Sequence, residues 1–141
     1  MEEQRSPEEM QKIAKIATDF ARSRTQSEEE MHKMLGGIFE QAKQENVKLI
    51  HIDEVLFMVM VRGTGIVEFH NINTPVPVED MARYIKKLID KLKSLDVKVA
   101  FTYSPEEYYM KAITVTKLDW KSKKVRIKGV NKPIKTYILY T

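Results

Sequence analysis

The sequence predicts an α/β domain with a mixed, mostly antiparallel central sheet and helices on both faces. Apolar residues recur at three- and four-residue steps through residues 10–42 and 81–95, the period of amphipathic helices. Between residues 47 and 72 they give way to short runs rich in β-branched and aromatic residues, the mark of strands. Within those runs Val55-Leu56-Phe57-Met58-Val59-Met60-Val61 has no polar residue at either parity, so this strand should be central and covered on both faces, with helices on each side of the sheet. The chain has 141 residues, 43% of them hydrophobic and 31% charged, the size and mixture of a single domain over 1–141.

Ser6-Pro7-Glu8-Glu9 opens the first helix. The hydroxyl can cap, proline sits where its missing N–H costs nothing, and the third residue after the serine is a glutamate that closes a capping box. Met10, Ile13, Ala17, Phe20 and Ala21 form its stripe to about Arg24. Ser27-Glu28-Glu29-Glu30 repeats the signal, and Met31, Met34, Leu35, Ile38, Phe39 and Ala42 carry a second helix towards Asn46. Gly36-Gly37 inside it predicts a close backbone approach or a bend, since each glycine costs ~1 kcal/mol against alanine. Val47–Ile52, Val55–Val61 and Ile66–Ile72 then read as a three-strand meander turning at Asp53-Glu54 and at Arg62-Gly63-Thr64-Gly65.

After Pro75-Val76-Pro77 a third helix buries Met81, Tyr84, Ile85, Leu88, Leu92 and Leu95 and turns Lys86, Lys87, Lys91 and Lys93 away. Val97–Tyr103 is a strand, and Ser104-Pro105-Glu106-Glu107 is a third capping box opening a shorter helix through Tyr108, Tyr109, Ala112 and Ile113. Lys121–Lys128 and Pro133–Tyr140 close the chain as a hairpin around Gly129-Val130-Asn131.

With no cysteine, and with His32, His51 and His70 far apart, the sequence offers no disulfide, thiolate nucleophile or metal cluster. No apolar run approaches the ~18 residues of a membrane span, and Met1 leads directly into Glu2, Glu3, Gln4 and Arg5. A cytoplasmic protein without a metal is the expectation. The net charge of +4 is unevenly spread: from Lys111 onward nine basic residues face only Asp119. Such an excess admits a polyanionic partner, although lysine-rich strands ordinarily serve solubility.

The element order, together with Lys117-Leu118-Asp119-Trp120 at the end of the last helix and the small residue Ala112 within it, resembles the GNAT superfamily of N-acetyltransferases over residues 6–141, lacking only the family's first strand. The resemblance implies that Ile66–Ile72 and Val97–Tyr103 splay apart to admit acetyl-coenzyme A, with Phe69, Asn71, Ile72, Asn73 and Thr74 along the cofactor and an amine as acceptor. It also implies a base on the strand before the central helix, where Glu68 and His70 stand. The family seats the coenzyme's diphosphate on backbone N–H groups of a glycine-bearing loop at the start of that helix. Asn73-Thr74-Pro75-Val76-Pro77-Val78-Glu79-Asp80 departs from this pattern: two prolines remove donors, glycine is absent, and two acids sit in the first turn. The family's tyrosine acid aligns near Val115, which has no proton to give.

Glu68 and His70 share one strand face, ~7 Å apart, and together form a plausible proton acceptor near neutral pH. The plainer reading has both face solvent, or cap the splay, beside core residues Val67 and Phe69. Among Tyr103, Tyr108 and Tyr109, Tyr108 is the candidate to replace the missing acid; ordinary packing of the rings on the sheet is the alternative. His51 reads as a structural histidine with one ring nitrogen bonded, and Met31, Met34, Met58 and Met60 as core. Lys124, Arg126 and Lys128 share a strand face at ~6.6 Å steps, near the phosphate spacing of a nucleic-acid strand. They lack interleaved aromatics, so nucleic acid is not favoured and an edge-protecting role is expected. Two functions follow: an N-acetyltransferase with a divergent cofactor mode, or a non-catalytic module holding a protein or nucleic-acid partner. So small a form is expected of a phage or mobile element.

Overall fold

The structure, a computed structural model, describes residues 5–104, 106–126, 128–129 and 131–141. Pro105 of the third capping signal, Ile127 and Val130 of the closing hairpin, and the opening Met1–Gln4 lie outside the described residues. The elements run α1 (Pro7–Ser23), α2 (Glu28–Ala42), β1 (Val47–Ile52), β2 (Val55–Gly63), β3 (Ile66–Asn71), α3 (Val78–Ser94), β4 (Val99–Tyr103), α4 (Glu107–Val115), β5 (Lys121–Val125) and β6 (Ile134–Tyr140). The strands form one six-stranded sheet in the order β1-β2-β3-β4-β6-β5, mostly antiparallel, as the sequence predicts. Among the described residues no helix is long and apolar enough to cross a membrane. The chain folds as two compact units, one running to Met58 with Asn71–Pro75 added, the other Val59–His70 and Val76–Thr141.

In the first unit both caps form as the sequence proposes. Ser6 Oγ accepts from the Glu9 N–H at 3.1 Å and Ser27 Oγ from that of Glu30 at 3.1 Å, while the Glu30 carboxylate reaches back to the N–H of Gln26 at 3.0 Å. Ile13, Ala17 and Ala21 of α1 and Met31 and Ile38 of α2 are buried, whereas Met10 is 59% exposed because it lies only one turn from the helix start. The Arg5 guanidinium donates to the Leu49 carbonyl. The expectation of a close approach at Gly36-Gly37 is corrected: a Cβ at either position meets nothing within 4 Å, α2 runs on unbroken, and both glycines face solvent. Nothing in the structure explains why two glycines stand there. Asp53 turns the β1–β2 hairpin at φ 50°, and its carbonyl holds His51 Nε2 at 2.7 Å, the structural histidine expected.

In the second unit β3 and β4 run parallel, and β6 pairs antiparallel with both β4 and β5. The β2–β3 turn is tighter than expected. Gly63 belongs to the strand, while Gly65 takes φ +71° and its carbonyl accepts from Lys98 and Val99 at 2.7 and 3.0 Å, ahead of β4. Its positive φ favours glycine, and a Cβ there would also press on Lys98 Cγ at 3.3 Å. Val55–Val59 of β2 are buried at both parities as predicted, but Val61 is exposed where the strand runs out towards the turn. On α3 the stripe Met81, Tyr84, Ile85, Leu88 and Leu92 is buried, joined by Ala82 and Ile89. Leu95, expected in that stripe, is 58% exposed, because the helix ends at Ser94 and the chain turns away. The third capping box is also corrected: Ser104 Oγ accepts from Glu106 N–H at 3.1 Å, two residues on, and Glu106 is the N-cap without a side-chain bond.

Candidate functional site

The side chains that matter most arise where β3 runs between strands. Val67 and Phe69 are buried on one parity, as expected, but Glu68 on the other is only 6% exposed, and so contradicts the reading that left it in solvent. A carboxylate so buried has little water to meet it, so the charge has to be met inside. Arg62 Nε donates to Glu68 Oε1 at 3.0 Å, and His70 Nε2 lies 2.5 Å from Oε2. Burial by itself raises the Glu68 carboxyl, but hydrogen bonds and charge from His70 and Arg62 outweigh it and hold the group below its ordinary value of 4.5. Glu68 is therefore an ionised, buried carboxylate.

A carboxylate at Oε2 fixes the tautomer of its neighbour. With His70 Nε2 donating to that carboxylate, Nδ1 is the ring nitrogen left over. The Tyr103 ring meets the imidazole edge-on, with centroids 4.8 Å apart at 75°. Its phenol is raised by burial and by the negative charge of Glu68. The arrangement is a buried carboxylate and a half-buried imidazole, clamped by a cation on one side and an aromatic ring on the other.

Arg62 was missed by sequence reasoning, which placed it in the turn. No signal in the sequence marked it, since strand parity alone does not bring residues 62 and 68 together. Thr102 was also missed. The β3–β4 ladder ends at Glu68↔Phe101 although both strands continue. Just past that point the fully buried Thr102 donates from Oγ1 to the Phe69 carbonyl at 2.6 Å, with the Tyr109 hydroxyl 3.5 Å away. Burial pushes the Tyr109 phenol far up.

The residues expected along a cofactor divide. Phe69 is wholly buried, its ring 6.2 Å from that of Trp120 and its carbonyl held by Thr102. Trp120, in the tail likened to the family's, donates its indole N–H to Thr116 Oγ1 at 2.9 Å. The Ile72 N–H is spent on the Leu56 carbonyl at 2.8 Å, Asn71 is half-buried, and Thr74 is exposed. Asn73 is buried and donates to the Thr74 carbonyl at 2.8 Å, and its Oδ1 is the one buried side-chain polar atom without a partner among the described residues.

Tyr108 is engaged away from the Glu68–His70 pair. Its hydroxyl accepts from the N–H of Val76 at 3.0 Å, and burial raises its phenol despite that bond. An open groove of about 730 Å³ is lined by Val78, Met110, Val115 and Tyr137 with Lys111 and Lys135, and neither Glu68 nor His70 reaches its wall.

The basic row does not survive as a strand face. β5 ends at Val125, so Lys124 stands on the strand while Arg126 follows it and Lys128 lies in the turn. All three are exposed. β5 is an edge of the sheet, and its Lys121–Lys124 side chains are solvated at both parities, which suits the protection of an edge.

Neither a family model nor a curated sequence matches the chain, so its likeness to known proteins lies in structure. Solved structures resemble it over most of its length at low identity. The PaiA N-acetyltransferase of Thermoplasma acidophilum, solved with coenzyme A, is 10% identical over 99% of this chain and 97% of its own, with a TM-score of 0.57. A probable GNAT-family acetyltransferase of Chromobacterium violaceum is 12% identical over 82% and 70%, at 0.60. An N-acyl amino acid synthase from uncultured soil microbes is 8% identical over 96% and 88%, at 0.59. The chain has the GNAT fold. In that fold β3 and β4 are the strands on either side of the central helix, here α3, and Glu68 and His70 stand on β3 at the end of its ladder with β4.

Proposed function

We propose that this protein transfers an acyl group from a thioester to an amine, and that the Glu68–His70 pair takes the amine proton. The observation that carries the reading is the 2.5 Å contact between His70 Nε2 and a buried, ionised Glu68 on the strand preceding the central helix of a GNAT fold. The amine nitrogen attacks the thioester carbonyl carbon, the C–N bond forms as the C–S bond breaks, and the thiolate leaves to be protonated by solvent. The proton shed by the amine goes to His70 Nδ1, while Nε2–H stays on Glu68. Arg62 keeps Glu68 in the form that can orient the ring, and Tyr103 restricts the ring's rotation. General-base assistance of this kind contributes ~10²–10⁴-fold.

The test is thiol release from acetyl thioesters in the presence of a panel of primary amines. Release that requires an amine and collapses in His70→Gln and Glu68→Gln, with circular dichroism unchanged, is the expected result. No release from any donor and amine overturns the reading.

A further inference from the structure

We infer that the amine acceptor is a monoamine with an alkyl or aryl body, and that this body lies on the face of β4 and β6 beside Glu68 and His70. This rests on the acyl-transfer reading above and names its acceptor. Strand register fixes which side chains share that face, because Cα partners on neighbouring strands point the same way. Ile66, Val99 and Tyr140 form one row across β3, β4 and β6, and Glu68, Phe101, Ile138 and Lys121 form the next, out to β5. Tyr103, Thr136 and Lys123 form a third, with the His70 ring against that of Tyr103 at 4.8 Å. The Glu68–His70 pair and the apolar rows are one surface.

The two faces of these strands differ in burial. Val67, Ala100 and Leu139, a row turned the other way, are buried. On the Glu68 side Val99, Phe101, Tyr103 and Ile138 are only half-buried, while Ile66 is 38% exposed and Tyr140 66%. Apolar surface left in water favours a ligand that covers it. Phe101 is the register partner of Glu68, so a molecule whose nitrogen meets His70 has Phe101, and beyond it Ile138, as its nearest support.

Charge decides against a second ammonium. Glu68 is the only acid in the three rows, and Arg62 at 3.0 Å and His70 at 2.5 Å already engage it. At the far end Lys121 and Lys123 add two cations, of which Lys121 meets Asp119 at 3.3 Å. A polyamine or a basic peptide would bring further positive charge to a face whose one carboxylate is taken. A monoamine with an apolar body meets no such repulsion.

Calorimetry with 2-phenylethylamine, n-hexylamine, ethanolamine and spermidine, alone and with coenzyme A present, tests this. The first two are expected to bind at least about tenfold more tightly than the last two. Ethanolamine or spermidine binding as tightly as the apolar amines overturns the inference, even where thiol release upholds acyl transfer, and so does binding of none of the four. Selective binding of the apolar amines with no thiol release from any donor overturns acyl transfer but not their recognition by this face. Two variants probe the cause. Ile138→Thr interrupts the apolar row, and the double change K121E/K123E supplies carboxylates at exposed positions. The first should weaken n-hexylamine binding and raise its KM by about threefold or more, with kcat within about twofold, as befits a residue that binds and takes no proton. The second should tighten spermidine binding by about threefold or more. Unchanged values in both overturn the assignment. A stable dimer in sedimentation that Ile138→Thr or Tyr140→Ser dissociates would put a second copy of the chain on this face, and overturns it too.

Discussion

Two places in the second unit invite the same argument from strand parity and end differently. On β3, Glu68 and His70 are two residues apart on an inner strand; on β5, lysines occupy an edge strand. In the first, the carboxylate is buried away from water, so it must find Arg62 and His70, and the contacts become short and directional. In the second, the side chains are exposed to water and the strand ends before the expected row is complete. Periodicity places side chains on a face, but only enclosure turns neighbours into a site. The same argument separates Tyr109, sealed beside Thr102, from Tyr108, drawn into holding the loop before α3.

The contrast breaks most visibly through activity. Glu68→Gln and His70→Gln should each lower the rate of acyl transfer ~10²–10⁴-fold, while K124A/R126A/K128A leaves it within about twofold, as stopped assays of thiol release will read. Equal losses in all three would mean that enclosure is not what distinguishes the regions. The interior behind the site should be as sensitive in stability as the site is in rate. Leu88 is fully buried on α3, and Leu88→Ala should cost ~2–5 kcal/mol in denaturant unfolding; a loss below ~1 kcal/mol would show a loosely packed helix face.

A smaller effect follows from acid. The folded-state pKa of Glu68 is depressed, so the stability it adds is present above the ordinary value of 4.5 and is lost as pH falls from there through the folded-state value. Glu68→Gln should flatten that part of the stability profile, and an unaltered profile would deny the carboxylate its partners. Alkali acts in the opposite sense. The phenols of Tyr103, Tyr108 and Tyr109 are raised above 10.0, so the stability of keeping them neutral is complete below that value and is lost as pH climbs above it, which a thermal melt series will record. The basic edge should respond least. K124A/R126A/K128A should shift stability by no more than ~0.5 kcal/mol, leave any affinity for a labelled oligonucleotide and its salt slope unchanged, and increase self-association. A salt slope that flattens by ~2–3 units would restore the phosphate-binding reading of that row.

The sequence by itself determined the element order, the caps at Ser6 and Ser27, the burial of β2 at both parities over Val55–Val59, and the apolar stripe of α3. These follow from local rules: hydroxyls that cap, a period of 3.6 or 2, and prolines without an N–H. They hold wherever one side chain's surroundings are set by its nearest neighbours in the chain. The tertiary structure alone decided that Glu68 is enclosed and ionised, that Arg62 meets it together with His70, that Thr102 holds the Phe69 carbonyl, and that Tyr108 spends its hydroxyl on Val76. It also decided that Gly36-Gly37 faces open solvent and that the basic row stops short. The reason is the same in each case. Partners separated by up to 33 residues meet only when strands pair and helices pack, and the charge state of a buried group depends on all of them together.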